Sequence, residues 1–470
     1  MGVHFNSKET FMSASRADAI QYAHKNQERF LDLLKEIVAI PSVSTDPERA
    51  GDVRRAAEWV ADRLRRLGVD QLQIMPTGGH PVVYGESMKA GSGAKTMLVY
   101  GHYDVQPAEP LELWESDAFQ AQQRGDYLYG RGASDMKGQV VATLCALEAV
   151  LSAGSLPVNV KFLFEGEEEI GSPNLGSFIA SHKDLLASDF AFNTDTGMLA
   201  ADLPTITYAL RGLAYFELRV YGPSKDLHSG LYGGVVHNPA QALCELVAAM
   251  HDDQGRVTLP GFYDSVRSLD AEERQELSRL PTTEEFYLGQ TGVSALWGEE
   301  GYTPSERVGA RPTLEVNGLY SGFTGEGSKT VLPGWAMAKI SCRLVPDQDP
   351  RQVDAQLKQF IADHAPKTVR CEVINLVGGT ASISDRRSEA VQGVARALEQ
   401  VWGKRPVFRR EGGSVPVVGQ FQSMLGVESV NVGFSLPGDN MHSPNEKLHL
   451  PTWYNGIDCL VHYFYNLGER

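Results

Sequence analysis

The sequence predicts an α/β protein: a mixed, mostly parallel sheet with flanking helices, interrupted by a smaller inserted α+β domain. Three observations lead there. Over 1–206 short apolar strands alternate with helical stretches, the rhythm of a parallel sheet covered on both faces. Near 207 the strands begin to alternate apolar and polar residues, which suits a sheet with one face on solvent or an interface. From about 381 the helix-then-strand character returns. The expected organisation is one discontinuous domain, 1–206 plus 381–470, with 207–380 inserted as a small lid.

Each element has its own signal. Phe30, Leu33, Leu34 and Ile37 lie on one face of a helix within 17–40, which Pro41 ends. Val53, Ala56, Val60, Leu64 and Leu67 mark a second helix over about 52–67, with Gly68 as its stop. TMLVY (96–100) reads as a short apolar strand, 138–152 as a helix, and VNVKFLF (158–164) and DFAFNTD (189–195) as further strands. In the insert, YFELRV (215–220), MAKISCRLV (337–345) and VRCEVINLV (369–377) are strands, and helices follow Pro239 and Pro350.

Length and composition narrow the function. At about 150 residues per domain, 470 residues allow two or three domains. Hydrophobic residues at 42% and charged residues at 22% exclude a disordered chain and a membrane-embedded bundle. The formal net charge of −16 argues against nucleic acid and anionic membranes as partners, because both need a basic face. Five cysteines, an odd number without a C-x-x-C pair, give neither a disulfide framework nor a thiolate zinc site. The stretch MGVHFNSKETFMSASRADA has no apolar core of a secretory signal, and no run of ~18 apolar residues occurs. A cytoplasmic protein is expected.

The chemistry gathers at strand ends, where open α/β sheets bind ligands. GHYDVQP (101–107) follows TMLVY directly. His102 and Asp104 are two residues apart and point the same way on an extended backbone, so the carboxylate can take the imidazole N–H and fix its tautomer. In YGRGASDMKG (129–138), Asp135 opens a helix, and an aspartate there is more often just an N-cap. FEGEEEIGSP (164–173) crowds Glu165, Glu167, Glu168 and Glu169 behind a hydrophobic strand. A solvated turn is the ordinary explanation of such a run, but a cation or a retained proton also holds crowded carboxylates together. Asp195 ends DFAFNTD, and His442 sits in DNMHSPNEKL (439–448). Two histidines and several carboxylates make a mixed N/O ligand set suited to Zn²⁺ or Mn²⁺. A carboxylate shared between two ions would give a two-metal site.

In this order, GHYDVQP, GRGASDMKG, EGEEEIGSP, KDLHSGLYGG and HSPNEKL resemble the co-catalytic metallopeptidases that include the carnosinases, the cytosolic non-specific dipeptidases, carboxypeptidase G and aminoacylase. The likeness is strongest to the dipeptidase and carnosinase branch and runs from IPSVST at 40–45 to the final helix. It implies a di-metal catalytic domain with a ferredoxin-like lid and dimerisation insert, and a homodimer that hydrolyses dipeptides with two divalent ions, Zn²⁺ or Mn²⁺, per chain. It implies that His102, Asp135 and Asp195 hold one ion. Asp135, Glu169 and His442 hold the other, Asp104 orients His102, and Glu168 is the general base. His228 in KDLHSG would stabilise the oxyanion in the partner subunit's site, Arg343 in SCRLVP would pair with the substrate's terminal carboxylate, and Thr330 and Ser414 would line the pocket. Two positions depart from the pattern. Met136 stands where these dipeptidases often carry an acidic residue, and Glu167 where they often carry an apolar one.

Within the same chemistry the alternative is a deacylase of N-acyl amino acids. Outside it stand a non-catalytic homologue, which the complete ligand set argues against, and a mononuclear iron oxygenase, which the surplus of carboxylates disfavours.

Overall fold

The computed structural model describes residues 7–413 and 415–469. The described residues form two compact units, one within 7–208, 384–408 and 420–469, the other within 209–383, 409–413 and 415–419. It passes from one to the other within the strands Thr205–Leu210 and Val407–Glu411.

The first unit is built on a mixed sheet. Across it the strands run Asp70–Met75, Val82–Ser87, Asn159–Glu165, Thr96–His102, Phe190–Asn193, Ser429–Asn431 and Thr205–Leu210. The four in the middle, from Asn159–Glu165 to Ser429–Asn431, are mutually parallel, and antiparallel strands flank them. Every residue of Asn159–Glu165 is buried, as a central strand covered on both faces should be. Helix Lys137–Ala153 is buried nearly all round. Helix Ala50–Arg66 buries one face, on Val53, Ala56, Ala57, Val60, Ala61 and Leu64, and carries charge on the other.

The single helix expected within 17–40 is two, Ser7–Lys25 and Gln27–Val38. At the break, Asn26 leaves helical geometry and its amide donates to Tyr22 O at 2.8 Å. This is the local competition with the helix ladder that asparagine offers. The apolar face chosen from the sequence survives the break, since Phe30, Leu33, Leu34 and Ile37 are all buried.

The second unit is an antiparallel sheet, in the order Thr313–Ser321, Trp335–Leu344, Gly212–Tyr221 and Arg370–Gly379, with helices Pro239–Ala248 and Pro350–His364 on its apolar face. Burial along Trp335–Leu344 alternates strictly, so one face meets the helices. Phe216, Leu218, Ile340, Leu243, Leu246, Leu357 and Phe360 form its core. Both helices open as their prolines suggest. Pro239 and Pro350 follow N-caps Asn238 and Asp349, whose side chains accept the N–H groups of Ala240 and Arg351.

Candidate metal centre

The parallel register sets the frame. His102 lies opposite Glu165, and Tyr100 lies opposite Asn193, so three strands finish along one edge. The loops leaving that edge carry Asp104, Glu168, Glu169 and Asp195. The loop before helix Lys137–Ala153 carries Asp135, and the loop after Ser429–Asn431 carries His442.

These side chains converge. Asp135 Oδ1 is 3.3 Å from His102 Nε2, and Asp135 Oδ2 is 2.9 Å from His442 Nε2. His442 Nε2 is 3.3 Å from Glu169 Oε2. Glu168 Oε2 and Asp195 Oδ2 each lie 4.0 Å from His102 Nε2. Two triplets result, His102–Asp135–Asp195 and Asp135–Glu169–His442, each with its potential ligand atoms within 4.8 Å of one another. Asp135 belongs to both. It does not cap the helix, because the helix starts at Lys137 with Met136 in the cap position and no side-chain cap bond.

The residues present fit divalent cations. His102 is fully buried, and its Nε2 makes no hydrogen bond although three carboxylates surround it. A buried ring nitrogen left in that position is poised to be a ligand. On its other side, Nδ1 lies 3.1 Å from the Asp104 carbonyl oxygen and 3.4 Å from Oδ1, so the backbone of Asp104 holds the ring as much as its carboxylate does. His442 is set at φ +60°, a left-handed conformation that costs a non-glycine residue about 1–3 kcal/mol and often marks a functional position.

Electrostatics follow the crowding. Burial pushes the Glu168 carboxyl well above the usual range; Asp195, Glu169 and Asp135 add to this, and His102 opposes it. Burial also works to raise Asp135, but His102 and His442 outweigh it and hold this carboxylate below its ordinary range. His442 is pushed up to about 10 by its contacts with Asp135 and Glu169.

The acidic run of 165–169 is no solvated turn. Its carboxylates take separate directions. Glu165 is buried, accepts from Tyr100 Oη at 2.6 Å and Ser172 Oγ at 2.8 Å, and is pushed up to about 7 by burial. Glu167 is buried as well and accepts from Asn174 Nδ2 and from the His80 N–H, so it joins neither triplet. Only Glu168 and Glu169 face the centre. Met136 is buried, and its sulfur is 3.2 Å from the His102 backbone nitrogen.

Asp104 has a second role beside His102, while Gln106, Arg131 and Glu446 carried no separate signal in the sequence. Asp104 accepts the N–H groups of Glu168 at 3.3 Å and Glu169 at 3.1 Å, so one carboxylate ties the histidine strand to the glutamate turn. Gln106 donates through Nε2 to Glu169 Oε2 at 2.9 Å. Arg131 and Glu446 form a fully buried ion pair at 2.7 Å. They lie within GRGASDMKG and HSPNEKL, but charged residues in such loops are normally solvated, and nothing local marks these two as buried partners.

In the second unit, His228 is exposed and pairs with Val331 in a two-residue ladder, beside Thr330, whose carbonyl accepts from Ser229 N at 3.0 Å. His228 Nδ1 accepts the Gly230 N–H at 3.0 Å. Arg343 lies on Trp335–Leu344 opposite Leu213, and the nearby Arg211 guanidinium is drawn down to about 10 by burial and by Arg343. Ser414 lies outside the described residues.

Residues 98–466 match peptidase family M20/M25/M40. Over 463 residues the chain is 32% identical to a Cys-Gly metallodipeptidase of Candida albicans, covering 94% of this chain and 95% of that one. It is 31% identical to the human Beta-Ala-His dipeptidase, covering 96% of this chain and 92% of the relative. Among solved structures, the M20 family metallo-carboxypeptidase Sso-CP2 of Sulfolobus solfataricus superposes with a TM-score of 0.82 at 33% identity, over 93% of this chain and 99% of that one. With a mixed α/β fold, a metal-compatible centre at its strand ends and relatives alike over nearly their whole length, the chain belongs to peptidase family M20/M25/M40, the metal-dependent peptide hydrolases.

Proposed function

We propose that this protein is a cytoplasmic dipeptidase that works with two divalent ions per chain, Zn²⁺ or Mn²⁺. The observation that carries the reading is the pair of ligand triplets that share Asp135. His102, Asp135 and Asp195 would hold one ion, and Asp135, Glu169 and His442 the other. Together the ions would supply a nucleophilic water near neutral pH and a Lewis acid for the scissile carbonyl.

The chain's own residues do the rest. Glu168 stands beside the triplets as a proton acceptor and passes the proton to the leaving amine. Asp104 keeps His102 oriented and holds the Glu168–Glu169 turn against it. Because His228 Nδ1 accepts a backbone N–H, its neutral ring carries the proton on Nε2, as a donor to an oxyanion must. The resemblance assigns His228 to the partner subunit's site, with the inserted domain as the dimer contact. Exposed Leu319 and Tyr320 on the outer strand Thr313–Ser321 support such a contact. Arg343 would bind the substrate's terminal carboxylate with its planar fork, and Thr330 and Ser414 would line the pocket.

The test is a panel of Cys-Gly, β-alanyl and ordinary dipeptides, with tripeptides and acylated amino acids beside them, assayed with each metal. Turnover confined to dipeptides is expected. A preference for acylated amino acids would make the protein a deacylase, and equal cleavage of longer peptides would overturn the dipeptidase reading.

Two further results are expected. Arg343→Ala should raise KM strongly for free dipeptides and much less for dipeptide amides, which lack the terminal carboxylate. Equal losses would make Arg343 structural. His228→Ala should lose about 10²–10³ in turnover with metal content unchanged. Mixed with Glu168→Gln under subunit exchange, it should recover roughly a quarter of wild-type activity, because about half the dimers are mixed and each has one of two sites repaired. Confirmed exchange without recovery would place His228 outside the partner's site.

A further inference from the structure

A single carboxylate lies behind the metal centre with every acceptor position filled. Glu446 is 0% exposed and Arg131 1%. Glu446 Oε2 accepts from Arg131 Nη1 at 2.7 Å and from the Gly132 N–H at 2.9 Å. Its Oε1 accepts from the N–H groups of Ser134 and Asp135, both at 3.0 Å. Four donors on two oxygens use all the lone-pair sites a carboxylate has. Arg131 then reaches with Nη2 to the carbonyl of Pro107 at 3.0 Å, in the loop that follows His102 and Asp104. On the other side of His442 in its own loop, Asp439 is buried and accepts from Ser134 Oγ at 2.8 Å.

We propose that the Glu446–Arg131 pair is a positioning clamp: it fixes the Asp135 loop simultaneously against the His442 loop and the loop after His102, and so sets the spacing on which both ion sites depend. The inference rests on the two-ion reading above. A stability role alone does not account for the arrangement. A buried ion pair is weak evidence for stability, since well-packed apolar residues often serve as well. Here the charge is spent on backbone N–H groups of neighbouring loop residues that end at Asp135 itself. Two of the three ligands of the second triplet, Asp135 and His442, thus sit on loops that meet at Glu446.

Glu446→Gln tests the clamp at constant shape. The amide keeps one acceptor oxygen and turns an NH₂ group towards either Arg131 and Gly132 or Ser134 and Asp135, all of which are donors, so the loop must shift. The experiment titrates metal-free full-length protein with Mn²⁺ by calorimetry and records the electron paramagnetic resonance spectrum at two equivalents. Wild type should bind two ions per chain and give the spectrum of a coupled pair. Glu446→Gln should weaken at least one ion by about 10–100-fold, the usual cost of losing a partner behind a ligand, and give uncoupled six-line Mn²⁺. A merely structural residue would lower the melting temperature and leave the coupled spectrum intact.

Should Glu446→Gln fail to fold, Arg131→Lys carries the same test. It keeps the buried charge but has one nitrogen in place of a fork, and it should show the same weakening and loss of coupling. A folded variant with wild-type affinities and a coupled spectrum overturns the clamp and leaves the dipeptidase reading standing. Failure of the wild type to bind two ions overturns both.

Discussion

Glu168→Gln is expected to keep two divalent ions per chain and to lose turnover by about 10²–10⁴-fold, the usual contribution of a positioned acid–base group. The substitution preserves size and hydrogen-bonding reach but cannot accept a proton. Metal content should survive because Glu168 belongs to neither triplet; its Oε2 stands 4.0 Å from His102 Nε2. The check is metal analysis by mass spectrometry beside a dipeptide assay. A variant with both ions and near-normal turnover would remove Glu168 from the mechanism. A variant that has lost an ion would make it a ligand.

Asp135→Ala should be the most damaging change to metal content. One carboxylate serves both triplets, with Oδ1 towards His102 and Oδ2 towards His442. Its loss should weaken both ions by more than the roughly 10–100-fold cost of losing an outer partner. His102→Ala should weaken mainly one ion, because His102 contributes to a single triplet. The contrast is the measurement: equilibrium dialysis of both variants against Mn²⁺ or Zn²⁺. If Asp135→Ala held two ions as tightly as wild type, the shared role would fall. The variant's fold can be followed independently, since Asp135 makes no cap bond to the helix it precedes.

Three of the strands that position the site were legible because their signals are local, whereas Ser429–Asn431, which leads to His442, was not singled out. TMLVY, VNVKFLF and DFAFNTD are short apolar runs bounded by polar residues, and they lie within or around Thr96–His102, Asn159–Glu165 and Phe190–Asn193. The helices after Pro239 and Pro350 start at those prolines. Asn26, which breaks the first helical stretch, comes before Phe30, where the apolar period begins, so that period could not show the break. The outer strands Asp70–Met75 and Thr313–Ser321 were missed for a related reason. Both are largely exposed or half-buried and lack the apolar run that reveals a central strand.

What the sequence determined by itself was which residue types stand at the strand ends and in which order, because strand formation and side-chain alternation depend on neighbours along the chain. Tertiary structure decided which of those residues meet. Within 165–169 four carboxylates are locally equivalent, and only the packing turns Glu165 towards Tyr100, Glu167 towards Asn174, and Glu168 and Glu169 towards the histidines. Asp135 in its loop looks like any helix cap until His102 and His442 approach it from distant parts of the chain. Arg131 and Glu446, 315 residues apart, read as two ordinary surface charges. A charge becomes a buried partner only when the fold removes its water and supplies another charge in its place, and no spacing along the chain encodes that exchange.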